Sequence, residues 1–256
     1  MTALGDKICA VPRPGLLISA RSIAESRIIV DSGARWLDIK EPTLGSLGLP
    51  SLDLIFAIFA LDLPKAVQIS VAGGELLSWT EDLNHMLAAK LPARAYLKLA
   101  LAGCRDIAWQ EVTEQISQAL VRRSQLILVH YADTMASKSP LWQEVIETSK
   151  ALGGQFVLID THNKTLGGLL AHYSLVQLEK MIGMAKQIDL GVALAGSLRL
   201  DQLPGLSNIG ADWLGVRGAV CLDTDRTGNL CLDRLQRAIA LFAVGSSTEA
   251  EHHVVR

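Results

Sequence analysis

Apolar runs recur along the whole chain at intervals of about thirty residues, the length of one strand plus one crossover helix. Strands are predicted near Leu16–Ala20, Trp36–Lys40, Val67–Ala72, Tyr96–Leu101, Leu126–Tyr131, Phe156–Thr161, Leu190–Gly196 and Trp213–Ala219. Between them, apolar residues spaced three and four apart predict helices over Asp106–Arg122, Leu141–Leu152, Leu175–Gln187 and Asp233–Val244. Eight such units in 256 residues match the size and rhythm of a single-domain (β/α)8 TIM barrel, expected over residues 1–245. The polar stretch 246–256, after Gly245 and including His252 and His253, is expected to be a mobile tail.

Composition agrees with that fold and narrows the function. Half of the residues are hydrophobic and a fifth are charged, as in a globular domain whose parallel strands are buried on both faces. A formal net charge of −2 supplies no clustered basic surface for nucleic acid or an anionic membrane. No segment reaches the roughly twenty apolar residues of a bilayer span, and the N-terminus lacks a basic stretch before an apolar core, so a cytoplasmic protein is expected. Cys9, Cys104, Cys221 and Cys231 show no metal-ligand spacing and are expected to be reduced. The apolar run Leu54–Ala60 suits either core or an interface, and a homo-oligomer is expected of a barrel that assembles through its helices.

Side chains alternate along a barrel strand between the interior and the helix layer, which turns the charged residues into a test. In Trp36-Leu37-Asp38-Ile39-Lys40, the apolar parity sends Asp38 and Lys40 inward. The same parity sends Lys98, Asp160, Ser19 and Ser70 inward, and His130 and Arg217 are placed on the inner face of the fifth and eighth strands. One buried charge is explained as well by a structural ion pair. Asp38, Lys40, Lys98, Asp160 and Arg217 together, all late in their strands, favour an active site, because barrel sites lie at that end.

Two glycine-bearing segments point to phosphate. Gly196-Ser197 follows the seventh strand, and Gly215-Val216-Arg217-Gly218 covers the end of the eighth, where barrels hold phosphate on backbone N–H groups. Tight turns needing positive φ are the alternative. The Arg217 guanidinium, matched to a phosphate dianion, favours the anion site. Gly45-Ser46-Leu47-Gly48 is a candidate for a second loop of this kind.

The runs Asp38-Ile39-Lys40-Glu41-Pro42, Gly45-Ser46-Leu47-Gly48, Asp160-Thr161 with Lys164, Ala193–Ser197, and Gly215–Ala219 with Cys221 resemble the (5-formylfuran-3-yl)methyl phosphate synthase family. The resemblance runs in order from the first strand to about Leu235. It implies a (β/α)8 barrel and a carbon–oxygen lyase of methanofuran biosynthesis, found in methanogens and in bacteria that oxidise one-carbon compounds. Two glyceraldehyde 3-phosphate molecules would condense, losing one phosphate and two waters, with no cofactor and no metal. Lys40 corresponds to the family's Schiff-base lysine, with Asp38 beside it; Lys98 and Lys164 correspond to further active-site lysines, and Asp160 to their acidic partner.

Other residues carry weaker expectations. His130 and Tyr131 are candidates for positioning the second triose, with Asp133 beside them or serving as a helix cap. Ser19 and Ser70 are candidates for binding hydroxyls. His162 is either solvated or catalytic, and Asp225-Arg226 either closes over a phosphate or forms a surface pair. A class I aldolase-like phosphosugar enzyme would share the lysine and the phosphate loops, and a catalytically silent barrel acting as a binding subunit is the non-enzymatic alternative.

Overall fold

Eight parallel strands close a barrel in sequence order in the computed structural model, which describes residues 14–243 apart from 84–86, 88–89, 93–94 and 121–124. The expected tail 246–256 and Cys9 lie outside the described residues. The strands are β1 (Gly15–Ala20), β2 (Trp36–Ile39), β3 (Gln68–Glu75), β4 (Ala95–Ala100), β5 (Leu126–Tyr131), β6 (Phe156–Asp160), β7 (Gly191–Leu194) and β8 (Trp213–Val216). Closure is made by β1 against β8, with Ile18 level with Val216.

The main core lies outside the barrel, between the sheet and the helices. Ile18, Leu37, Ile69, Leu97, Leu128 and Val157 point outward into it and are fully buried. The helix Leu52–Phe59 presses Ile55 and Ile58 into this layer, and Leu54, Phe56 and Phe59 pack against it, so the Leu54–Ala60 run serves the core. Helices begin where capping residues allow. Ser22 accepts from the Glu25 N–H at the start of Ile23–Asp31, and Ser174 with Gln177 forms a capping box at the start of Leu175–Lys186.

Three strand ends differ from the sequence expectation by two residues or more. β3 continues past Ala72 through Gly73 and Gly74 to Glu75, with a register shift against β4 between Ala72 and Glu75. β7 stops at Leu194, because Gly196 takes φ +102° and turns the chain out of the sheet. β8 stops at Val216, and Gly218–Val220 is a short 3-10 turn. Cys104, Cys221 and Cys231 are free thiols. Among the described residues no helix is long and apolar enough to cross a membrane.

Candidate active site

The even-numbered strands build the site in layers. Trp36, Tyr96, Phe156 and Trp213 interlock inside the barrel with ring centroids 4.1–6.0 Å apart, the four-residue layer from alternate strands that closes such barrels. Side chains return to the same face every second residue, so the next layer is Asp38, Lys98, Leu158 and Gly215. Two residues further stand Lys40, Ala100, Asp160 and Arg217. The charges therefore sit above an aromatic floor at the C-terminal end of the strands.

Two of the three lysines are paired. The Lys98 ammonium lies 2.5 Å from Asp38 Oδ1, and Asp38 also accepts from Ser70 Oγ (2.8 Å) and Ser19 Oγ (2.9 Å). Burial would raise the Asp38 pKa, but Lys98 and then Lys40 outweigh it and hold the carboxyl below its usual range. Lys164 Nζ donates to Asp160 Oδ1 (2.7 Å), Thr161 O (2.6 Å) and Thr161 Oγ1 (2.9 Å), which uses all three of its protons. Asp160 is likewise held ionised: burial opposes this, and Lys164, Lys40 and the Thr161 N–H prevail.

Lys40 differs. Among the described residues its ammonium has no carboxylate within ion-pair distance. Burial pushes its pKa from an ordinary 10.5 down to about 8; Asp38 and Asp160 oppose the shift, while Lys98 and Lys164 add to it.

Lys40, Asp160 and Lys164 open onto a cavity of about 260 Å³, whose other wall is formed by Gly196, Ser197, Gly215, Gly218 and Arg226. The N–H groups of Gly196, Ser197, Gly218 and Ala219 donate to no acceptor among the described residues, and all four residues line the cavity. Among the described residues no three His, Cys, Asp or Glu side chains converge as metal ligands would.

Arg217 is a correction. It takes the inward parity, yet all five of its N–H groups are consumed: by Glu25 Oε2 (2.7 Å) and Oε1 (3.1 Å), and by the carbonyls of Ser19 (3.1 Å), Arg226 (3.0 Å) and Gly228 (2.7 Å). Its guanidinium therefore has nothing left for a phosphate. Arg217 still lines the cavity, as does Arg226, which reaches across to Gly45 O (2.6 Å); no Asp225–Arg226 pair forms among the described residues, since Asp225 accepts from Thr227 instead.

His130 is a second correction. It is level with outward-facing Ile159 and stands in the helix layer, 3.1 Å from Tyr173 Oη, where burial pushes its pKa down to about 4. Leu-Ile-Leu-Val-His-Tyr is apolar on both faces, so its polar member did not reveal its side. Tyr131 is the inward neighbour, and its hydroxyl is committed to Glu75 Oε1 at 2.6 Å. Burial, then Glu75, raises the Tyr131 pKa well above 10, keeping it a neutral donor. Ser19 and Ser70 point inward as expected but spend their protons on Asp38 and do not line the cavity. Asp133 accepts from the N–H groups of His162 and Asn163 (2.7 Å each), fixing the loop after β6 rather than capping a helix.

None of the residues of the Gly45–Gly48 segment lines this cavity. Ser46 Oγ donates to Thr161 O (2.6 Å) and Leu47 is buried among Ala72, Val129 and Tyr131, so the segment lies across part of the barrel mouth. A Cβ at Gly48 would fall 2.0 Å from Glu41 O, which makes glycine necessary there. Glu75 was missed altogether, because the glycines before it hid the end of β3.

A model of the 4-HFC-P synthase family matches residues 16–239. The (5-formylfuran-3-yl)methyl phosphate synthase of Methanobrevibacter smithii is 31% identical over 222 residues, 84% of this chain and 93% of that protein. The protein of the same name from Methanothermobacter thermautotrophicus is 29% identical over 227 residues, 86% of this chain and 95% of its own. Among solved structures, KGPDC from Streptococcus mutans has a TM-score of 0.60 at 10% identity, covering 90% of this chain and 98% of its own. Phosphoribosyl anthranilate isomerase from Thermus thermophilus has a TM-score of 0.55 at 14% identity, with the same 90% and 98% coverage. These two structures share the fold alone.

Proposed function

This chain belongs to the 4-HFC-P synthase family, and on that premise we propose that it condenses two glyceraldehyde 3-phosphate molecules into (5-formylfuran-3-yl)methyl phosphate, through an imine on Lys40, in methanofuran biosynthesis. The observation that carries this reading is the contrast among the lysines. Lys98 and Lys164 are each bound to a carboxylate, whereas Lys40 faces the cavity without one and has a pKa of about 8. At pH 7 such a lysine is neutral about one time in ten, against about one in 2,500 for an ordinary lysine.

The Lys40 amine attacks a triose carbonyl and water leaves as the iminium forms. The iminium acidifies the neighbouring carbon. Asp160, ionised and on the cavity wall, takes that proton, and the resulting enamine expels phosphate or attacks the second aldehyde. Lys164 keeps Asp160 ionised, and Asp38 with Lys98 forms a fixed charge pair beneath Lys40. Two C3 phosphates thus lose one inorganic phosphate and two waters to give a C6 furan aldehyde that retains one phosphate.

Mass spectrometry after incubating pure, metal-free protein with glyceraldehyde 3-phosphate tests the reaction. The expected result is the furan aldehyde phosphate from the wild type, a borohydride-trapped adduct on the Lys40 peptide, and neither from Lys40→Arg. Product from Lys40→Arg would refute the covalent role. A phosphosugar in place of the furan would assign an aldolase.

A further inference from the structure

We propose that the Arg226 guanidinium, which reaches from the loop after β8 to Gly45 O in the loop after β2, forms a second phosphate subsite in the same cavity, beside the glycine-lined cradle. The inference rests on the reading above, in which two phosphorylated trioses occupy one site and bring two dianions into it.

The unspent N–H groups of Gly196, Ser197, Gly218 and Ala219 suit one phosphate. A second one needs another cation, and most of the cations nearby are engaged. Arg217 is consumed by Glu25 and carbonyls, and Lys98 and Lys164 are bound to Asp38 and Asp160. Lys40 must be neutral to react. Arg226 has no carboxylate within ion-pair distance among the described residues, and of its N–H groups the bond to Gly45 O is the one made. Partial burial lowers its pKa, and the more distant Asp160 only partly offsets that. A half-buried guanidinium on a cavity wall, with no carboxylate at ion-pair distance, is arranged to meet an anion through a two-pronged hydrogen bond.

The backbone around it is held still. Arg217 grips the carbonyls of Arg226 (3.0 Å) and Gly228 (2.7 Å), Asp225 holds the Thr227 N–H (2.8 Å), and Arg21 reaches Thr227 O. Arg21 is itself paired with Glu41 (3.0 Å), the residue after Lys40. The buried Arg217–Glu25 pair thereby positions Arg226, which gives the expected phosphate-binding arginine an indirect part in the same task.

Calorimetric titration of the whole protein with inorganic phosphate tests the proposal without turnover, so a failure to make furan leaves the phosphate count unaffected. Two phosphates per chain are expected for the wild type and one for Arg226→Gln, with an unchanged thermal midpoint. Arg226→Lys keeps a donor for Gly45 O but loses the fork, and is expected to bind the second phosphate about tenfold more weakly. A single phosphate on the wild type, two on Arg226→Gln, or equal affinity in Arg226→Lys would each overturn the subsite. A lowered thermal midpoint with both phosphates retained would reduce Arg226 to a strap between loops.

Discussion

At the scale of single residues, two lysines are paired with carboxylates and a third, Lys40, is not, among the described residues. In the proposed reaction Lys40 carries the amine, and burial, more than its charged neighbours, sets its pKa near 8. Its neutral fraction grows tenfold per pH unit below that value. The kcat/KM is therefore expected to rise about tenfold per unit and level off near pH 8, where a lysine at its ordinary value would keep climbing; a pH–rate profile decides this. Lys98 has the opposite duty. Replacing it by methionine leaves Asp38, 1% exposed, without its ammonium, and is expected to cost about 3–5 kcal/mol in urea unfolding. Adding Asp38→Asn removes the stranded charge and should recover most of the loss. Both residues were legible in the sequence, because leucines and isoleucines on one parity leave the other parity to the charges. Arg217 was legible as inward-facing but not in its role. Its partner Glu25 lies 192 positions away, and no local pattern announces that a guanidinium is already satisfied.

At the scale of elements, the aromatic layer explains why two strands begin with glycine. A Cβ on Gly191 would lie 2.4 Å from the Phe156 ring, and one on Gly15 would lie 1.9 Å from the Trp213 ring. Gly191→Ala forces a ring held by Trp36 and Tyr96 to move, at an expected cost of about 1–3 kcal/mol by denaturant unfolding. The Michaelis constant should not change, because this layer does not line the cavity. Strand positions were legible because each apolar run is a local signal. The β3 extension to Glu75 was not, since its glycines look like a turn until they are seen as an irregularity in a paired strand. The destination of Gly45–Gly48 was hidden for a different reason: Ser46 meets Thr161 across 115 positions of chain, and loop composition does not encode which loop it will touch.

At the scale of the whole molecule, eight local units close into one object, and the seam between first and last is guarded by the Arg217–Glu25 pair at 2.7 Å. Glu25→Gln leaves Arg217 buried beside a neutral amide. A loss of roughly 3 kcal/mol is expected, read as a fall in thermal midpoint of roughly 6–12 °C and as faster hydrogen exchange along β1 and β8. The number and order of the units were legible from the thirty-residue rhythm, whereas this seam joins the chain's two ends. The four rings that shut the lower end of the barrel, and Leu47 laid over part of the upper, leave a blind well with its doorway beside β6, β7 and β8. Traffic through such a well runs both ways by a single route, so each arrival waits on the departure before it.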